Sequence, residues 1–268
     1  MIATLTTDFG LRDGYAAAMR GAMLRVAPSL RIEDISHTIA PQETMEAAFV
    51  LRRAARFFPE GTVHAVVVGS RRTARPVAAE LTLDGVSHTV VAPDTGVVTL
   101  LDADEIGLCV ELDRPEHWRV PEPVPSFRGR DLYGPVAAAL AGGARLDAVG
   151  TPIDDARSLR WAVPSRDDAG IDGWVVHVDR YGSCITNIPA GALAPDGDAT
   201  ALRIFAGSTI IRGVSRSHGA GAPGEPLAVL GGDGFLEIAV AGGDASQLLS
   251  IERGQQVRVV FDARPVPA

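Results

Sequence analysis

The side chains able to do chemistry gather in a few short stretches of this chain. "TTDFGLRDGY" (6–15) ends an apolar run, leads into a helical pattern and carries Asp8 and Asp13. A carboxylate at the end of a strand in an α/β sheet can accept the two hydroxyls of a ribose. An Asp before a glycine can equally cap the helix that follows. "SFRGRDLYGP" (126–135) sets Phe127, Arg128, Arg130 and Asp131 ahead of another helix, where a local Arg–Asp pair is the plainer reading. "VVVGSRRTAR" (66–75) is an apolar strand running through Gly69 into a turn with Arg71, Arg72 and Arg75, and with no carboxylate, histidine or cysteine. Arginine cannot serve as a base, but it readily holds an anion. "DRYGSCITNIP" (179–189) brings Asp179, Tyr181, Ser183 and Asn187 around a glycine turn. "GDGFLEIAVAGGDAS" (232–246) places Asp233, Val240, Asp244 and Ala245 on and beside a strand between glycine turns, where free backbone can meet a flat ligand.

Other chemistries lack their signatures. There is no G-x-G-x-x-G, H-E-x-x-H or G-x-S-x-G. The histidines at 37, 64, 88, 117, 177 and 218 show no metal-ligand spacing, so no metal is expected, and His64 and His177 read as structural members of apolar strands. All 25 basic side chains are arginine, which rules out a P-loop or Schiff-base lysine. A net charge of −8 argues against nucleic acid as a partner. No apolar run is long enough to cross a bilayer and no signal-like start precedes the first strand, and the two distant cysteines, Cys109 and Cys184, read as reduced thiols. A cytoplasmic protein is the expectation.

The elements that must position these residues alternate at first. Strand patterns at 2–7, 31–36, 62–68 and 88–93 interleave with helical patterns at 14–28, 42–59 and 131–143. That predicts an α/β domain with a mostly parallel central sheet covered on both faces. From Trp174 onward only short β-like runs remain, separated by Gly- and Pro-rich turns, which predicts a small all-β, barrel-like domain. The expected organisation is an α/β domain at 1–155, a linker at 156–172 and a β-barrel domain at 173–268.

Taken in order, "TTDFG", "DISHTIAPQETMEAAFVLRRAARFFPEGTVH", "APDTGVV", "FRGRDLY", the D-aromatic-G…TNI turn and "GFLEIAV" resemble the S-adenosyl-L-methionine (SAM) hydroxide adenosyltransferases, relatives of the SAM-dependent fluorinase and chlorinase. The resemblance spans nearly the whole chain. It implies SAM as substrate, no separate cofactor, in-line displacement at C5′ with methionine leaving, and a trimer with active sites between subunits. It implies that Asp8 holds the ribose hydroxyls and that Asp13 and Asp179 face the methionine part. Phe127 would wall the ribose, and the adenine would lie near Tyr181 and the backbone from Val240 to Ala245. Ser183, Asn187, Asp233 and Asp244 complete the implied substrate-binding set.

The nucleophile side departs from the family pattern. Family hydrolases carry D-P-G-V-G-T-x-R after the third strand; here the stretch is one residue shorter, with Gly69 where the aspartate belongs. They read F-H-G-R-D, and here Arg128 replaces the histidine. Of the Asp-Arg-His set only Arg75 remains, and the halogenase tyrosine also falls at Gly69. Three readings follow: hydrolysis of SAM to adenosine and methionine, favoured by the family; adenosyl transfer to a halide or another anion, gathered by Arg75 and Arg128; and a SAM- or adenosine-binding protein without catalysis.

Overall fold

The run "IATLTT" forms β1, Ile2–Thr7, buried along nearly its whole length as a strand covered on both faces must be. In the computed structural model, which describes residues 1–69, 74–101, 103–193 and 202–261, the chain divides into two units, Met1–Arg160 and Trp161–Ala268. In the first unit β1 is followed by α1 (Tyr15–Val26), β2 (Arg31–Ser36), α2 (Thr44–Ala55), β3 (Val63–Val67), β4 (Pro76–Leu83), β5 (Val86–Pro93), α3 (Val97–Leu100) and β6 (Glu105–Glu111). A π-helical turn at Gly129–Tyr133 leads into α4 (Gly134–Ala141), then α5 (Leu146–Val149) and β7 (Thr151–Pro152).

The sheet runs β2-β1-β3-β5-β4-β6-β7. Pairings among β2, β1, β3 and β5 are parallel, whereas β4 runs antiparallel to β5 and β6, and β6 antiparallel to β7. The expected mostly parallel sheet is therefore corrected to a mixed one. The reason is local: Asp84 and Gly85, at φ 49° and 76°, make a two-residue turn between β4 and β5. Asp-Gly with positive φ at both positions closes a hairpin and leaves no room for a crossover helix.

α1 turns Met19, Ala22 and Met23 inward, and α4, apolar all round, is buried on nearly every face. These pack with Leu5, Val67, Val91 and Tyr133 into one core. Two imidazoles lie inside the sheet. Thr4 Oγ1 lies 2.7 Å from His64 Nδ1, and His64 Nε2 lies 3.3 Å from His88 Nδ1. Burial first, and the His88 ring second, push His64 down to about 3. It is a neutral, structural histidine.

The second unit contains β8 (Ser165–Arg166), β9 (Gly170–Val178), β10 (Cys184–Pro189), α6 (Ala190–Leu193), β11 (Leu202–Ala206), β12 (Thr209–Arg212), β13 (Pro226–Leu230), β14 (Phe235–Val240), α7 (Ala245–Leu249) and β15 (Gln256–Phe261). Its strands are ordered β12-β11-β15-β9-β10-β14-β13, with β8 on β9, and every pairing between named strands is antiparallel. The end strands β12 and β13 touch, so the sheet nearly closes on itself around Ile171, Ile188, Ile204, Ile238 and Val257. This is the barrel-like, all-antiparallel architecture that the short alternating runs predict.

Candidate functional site

In the first unit β1 delivers Asp8 to the rim of a cleft of about 250 Å³, lined by Asp8, Phe9, Gln42, Val67, Gly69, Phe127, Arg128 and Gly129 among others. The Asp8 carboxylate accepts the Gln42 backbone N–H at 3.0 Å. Gln42 adopts φ 66°, a left-handed conformation that few non-glycine residues take outside tight turns and binding sites. The loop carrying Asp8 is pinned from below: Thr7 Oγ1 lies 2.8 Å from His37 Nδ1, and Gly10 N–H donates to the His37 carbonyl at 2.7 Å. His37 Nε2 in turn meets Asp34 at 3.0 Å, and Asp34 pairs with Arg20.

Two of the lining residues, Phe9 and Phe127, belong to an aromatic cluster with Tyr15. Phe9, Tyr15 and Phe127 meet edge-on or tilted, with centroids 5.1 to 6.2 Å apart. A side chain at Gly129 would strike the Phe9 ring at 2.8 Å, so glycine there allows the backbone to approach the cluster. Asp131 organises the segment beneath it. Its fully buried carboxylate takes Arg119 Nε at 2.6 Å, Arg130 at 2.7 and 2.9 Å, and the Val124 N–H at 3.1 Å. The Arg130 hydrogen bond, with that of Arg119, holds the Asp131 carboxyl well below the usual carboxylate range. The Arg130 guanidinium lies over the Phe127 ring at 4.6 Å. The Arg–Asp pairing predicted for "FRGRD" is present, but it fixes the Phe127 loop instead of capping α4, whose N-terminus has no side-chain cap.

Arg128 has a different environment. It donates to the Ala74 carbonyl at 2.8 Å and lies 5.4 Å from the Tyr133 ring centre, and it forms no ion pair among the described residues. Arg75 is doubly paired: it donates to Asp94 at 2.9 Å and to Asp155 at 2.9 Å, with a further bond to the Asp155 carbonyl at 3.0 Å. Arg75 lies in a second cavity of about 480 Å³, lined by Gln42, Thr44, Gly69, Ala74, Asp94, Thr95, Asp155, Arg157 and Leu159 as well. The two cavities share Gln42 and Gly69. Thus Arg128 and Gly69 line the Asp8 cleft, whereas Arg75 meets Gly69 only in the second cavity. Arg71 and Arg72 of the arginine turn fall outside the described residues. Asp13 is exposed ahead of α1 and lines neither cavity, and α1 has no side-chain cap at its start.

In the second unit the candidates separate into two groups. Asp179 Oδ1 accepts the N–H groups of Tyr181 and Ser183, each at 2.9 Å. Gly182, at φ 84°, packs on Asp244, and its carbonyl accepts Ser246 N–H at 3.0 Å. Asp179, Tyr181, Ser183, Val240, Asp244 and Ala245 therefore share one end of the β9-β10-β14 sheet, with the Tyr181 ring 82% exposed. Asn187 and Asp233 lie toward the opposite end, where Pro189 pairs with Phe235. The Asn187 amide is occupied by Trp174 N–H at 2.8 Å and by the Ala162 carbonyl. Among the described residues no group of three or more His, Cys, Asp or Glu could hold a metal ion.

With this geometry in view, residues 3–150 match the N-terminal domain and residues 173–258 the C-terminal domain of SAM hydroxide adenosyltransferase. The chain belongs to that family. It is 34% identical to an (R)-S-adenosyl-L-methionine hydrolase of Salinispora tropica over 96% of both chains. It is 27% identical to a fluorinase of an Actinoplanes species over 89% of this chain and 90% of the fluorinase. In fold it is similar to a crystallised, uncharacterised conserved protein of Thermotoga maritima, with a TM-score of 0.88, 32% identity and coverage of 97% and 99% of the two chains.

Sequence reasoning missed Gln42, Phe9, Tyr15, Asp94 and Asp155 as parts of these walls. Phe9 and Tyr15 lie in the quoted "TTDFGLRDGY" stretch, where an aromatic on each side of the Asp13 turn was a usable signal. Asp155 lay in a polar stretch with no periodicity, and nothing in the sequence marks it.

Proposed function

We propose that the protein hydrolyses SAM, forming adenosine and methionine by displacement at C5′. The observation that carries this reading is the match to both family domains together with a cleft lined by Asp8, Phe9 and Phe127. Asp8 is suited to the ribose hydroxyls, which want a fixed acceptor. Asp13 and Asp179 are assigned to the cationic methionine part, and Tyr181 and the Val240–Ala245 backbone, with Asp244, to the adenine. Ser183 supports the Tyr181 turn. The substrate carries its own leaving group, since the sulfonium departs as a neutral thioether, and no cofactor is needed for that step. The protein's contribution is alignment, which supplies about 7–11 kcal/mol in favourable cases, and handling of the water. We assign the enzyme to the cytoplasm and to a homotrimer. Among the described residues no helix is long and apolar enough to cross a membrane.

A second reading, adenosyl transfer to an anion, is favoured by one observation: Arg128 lines the Asp8 cleft with no carboxylate partner among the described residues. The test separates the two. Purified protein is incubated with SAM, with and without chloride, and the nucleosides are resolved by chromatography. Adenosine in equal yield under both conditions supports hydrolysis. A 5′-chloro nucleoside formed at the expense of adenosine supports transfer to halide, and no nucleoside product rejects both.

A further inference from the structure

The larger cavity shares Gln42 and Gly69 with the Asp8 cleft, and hydrolysis gives that common wall a task. Water is a poor nucleophile until a base takes its proton, and among the described residues that line the Asp8 cleft the only acid is Asp8 itself. In the larger cavity there are two acids, Asp94 and Asp155, and their situations differ. Asp94 is enclosed, its side chain only 9% exposed, with Oδ2 taking Arg75 at 2.9 Å and Oδ1 taking the Arg157 N–H at 2.7 Å. It is a fixed partner. Asp155 takes Arg75 through Oδ1, while its Oδ2 has no partner among the described residues, and its side chain is 71% exposed. Arg75 holds the main chain of Asp155 as well, so the carboxylate is aimed by a bidentate grip on one residue.

Resting on the hydrolase reading, we propose that the larger cavity is the water side of the site and that Asp155, oriented by Arg75, accepts the proton of the attacking water. The water oxygen forms the bond to C5′ as the C5′–S bond breaks; the bonding pair stays on sulfur and gives neutral methionine. The water proton goes to Asp155 Oδ2 and then to solvent, so SAM and water yield adenosine, methionine and one proton. Gly69 matters because a side chain there would stand between the two spaces: its Cβ would lie 3.2 Å from Thr44 Oγ1 and 3.7 Å from Thr95 Cγ2. The charged groups that share the cavity with Asp155 are Arg75, Asp94 and Arg157, with the buried Cys109 thiol nearby, its acidity suppressed by burial and by Asp94.

The test is steady-state adenosine formation by wild type, Asp155→Asn and Asp155→Glu from pH 5 to 10, with SAM binding measured by calorimetry. We expect Asp155→Asn to lower kcat by about a hundredfold while KM stays within about twofold. Its rate should climb with hydroxide concentration across that range, and Asp155→Glu should recover part of the loss. An Asp155→Asn enzyme within about twofold of wild type at every pH overturns the assignment and leaves the hydrolase reading standing. So does an Asp155→Asn protein that no longer binds SAM, which would make the residue structural. Wild type that binds SAM but makes no adenosine rejects the hydrolase reading itself.

Discussion

The two units treat their polar candidates in opposite ways. In the first, Asp8 and Arg128 line a cleft with hydrogen-bonding capacity left over, each tied to the protein by a single backbone group. In the second, Asp179 closes its own turn, the Asn187 amide holds two backbone groups and Asp244 caps α7 at Gln247 N–H. The difference separates groups available to a ligand from groups that shape the backbone a ligand meets. Substitutions in the two units should then fail differently, the former in binding and turnover at nearly full stability, the latter in stability together with whatever ligand contact is lost.

The largest effect should come from a residue in the first unit that breaks this division. Asp131 is fully buried and binds Arg119, Arg130 and Val124 N–H. Asp131→Ala should cost about 3 kcal/mol of stability, at the low end for a broken buried pair because both arginines can reach water. Urea unfolding checks the loss. SAM affinity should fall with it, because Phe127 sits on the segment that Asp131 ties down. Unchanged affinity would detach Phe127 from the binding wall.

Asp8 and Asp179 make the sharpest pair. Asp8→Ala should weaken SAM binding by about a hundredfold, the loss of charge-assisted bonds worth about 1.5–3 kcal/mol, with little change in unfolding midpoint. Asp179→Ala should lower stability by about 1–2 kcal/mol, because two turn N–H groups lose their acceptor. Calorimetry and unfolding on both variants decide it, and an Asp8 variant that binds normally removes the cleft from the substrate site.

Much of this was legible in the sequence, and the exceptions have physical causes. Strand and helix periodicity gave β1, β2, α1 and α2 within a few residues, and in α1 and α2 the apolar positions at helical spacing are the buried ones. The mixed sheet was missed although Asp84-Gly85 announced it, since a two-residue turn weighs little beside long apolar runs. Asp8 and Phe127 could be assigned to one site because the family resemblance gives both to the ribose, and the structure puts both in one cleft. Asp155 could not, since its meaning comes from a contact with Arg75, 80 residues earlier. At Gly69 the sequence showed a missing carboxylate, whereas the structure adds that φ 66° and the crowding from Thr44 make it a poor place to restore one.

Acid should expose the core of the first unit. His64 is pushed down to about 3 and His37 and His88 are lowered, chiefly by burial, against an ordinary value of 6.5. Unfolded chains thus bind protons that the folded one refuses. For His64 the stabilisation is complete above the unfolded value and is lost as pH falls from about 6.5 toward 3, at about 1.4 kcal/mol per unit, and His37 and His88 act in the same direction. Urea midpoints at pH 7, 6 and 5 should decline, and His64→Gln should flatten that slope even where it lowers stability overall. A slope unchanged in His64→Gln would assign the acid sensitivity elsewhere.

The smallest effect tests the second unit at its simplest joint. Asp244 Oδ1 accepts Gln247 N–H at 2.9 Å, and Oδ2 takes the Gln247 side chain at 2.8 Å. Asp244→Ala removes an N-cap from a five-residue helix and should cost about 1 kcal/mol. Asn can accept the same N–H, so Asp244→Asn should recover most of that loss. Asn lacks the carboxylate's charge and the second acceptor that takes the Gln247 side chain. If SAM affinity is the same in wild type and Asp244→Asn but lower in Asp244→Ala, the residue acts by shaping the turn against Gly182, as the rest of its unit does. If Asp244→Asn loses affinity at full stability, as Asp244→Ala then also does, the carboxylate itself meets the ligand, and the contrast between the two units fails at this position.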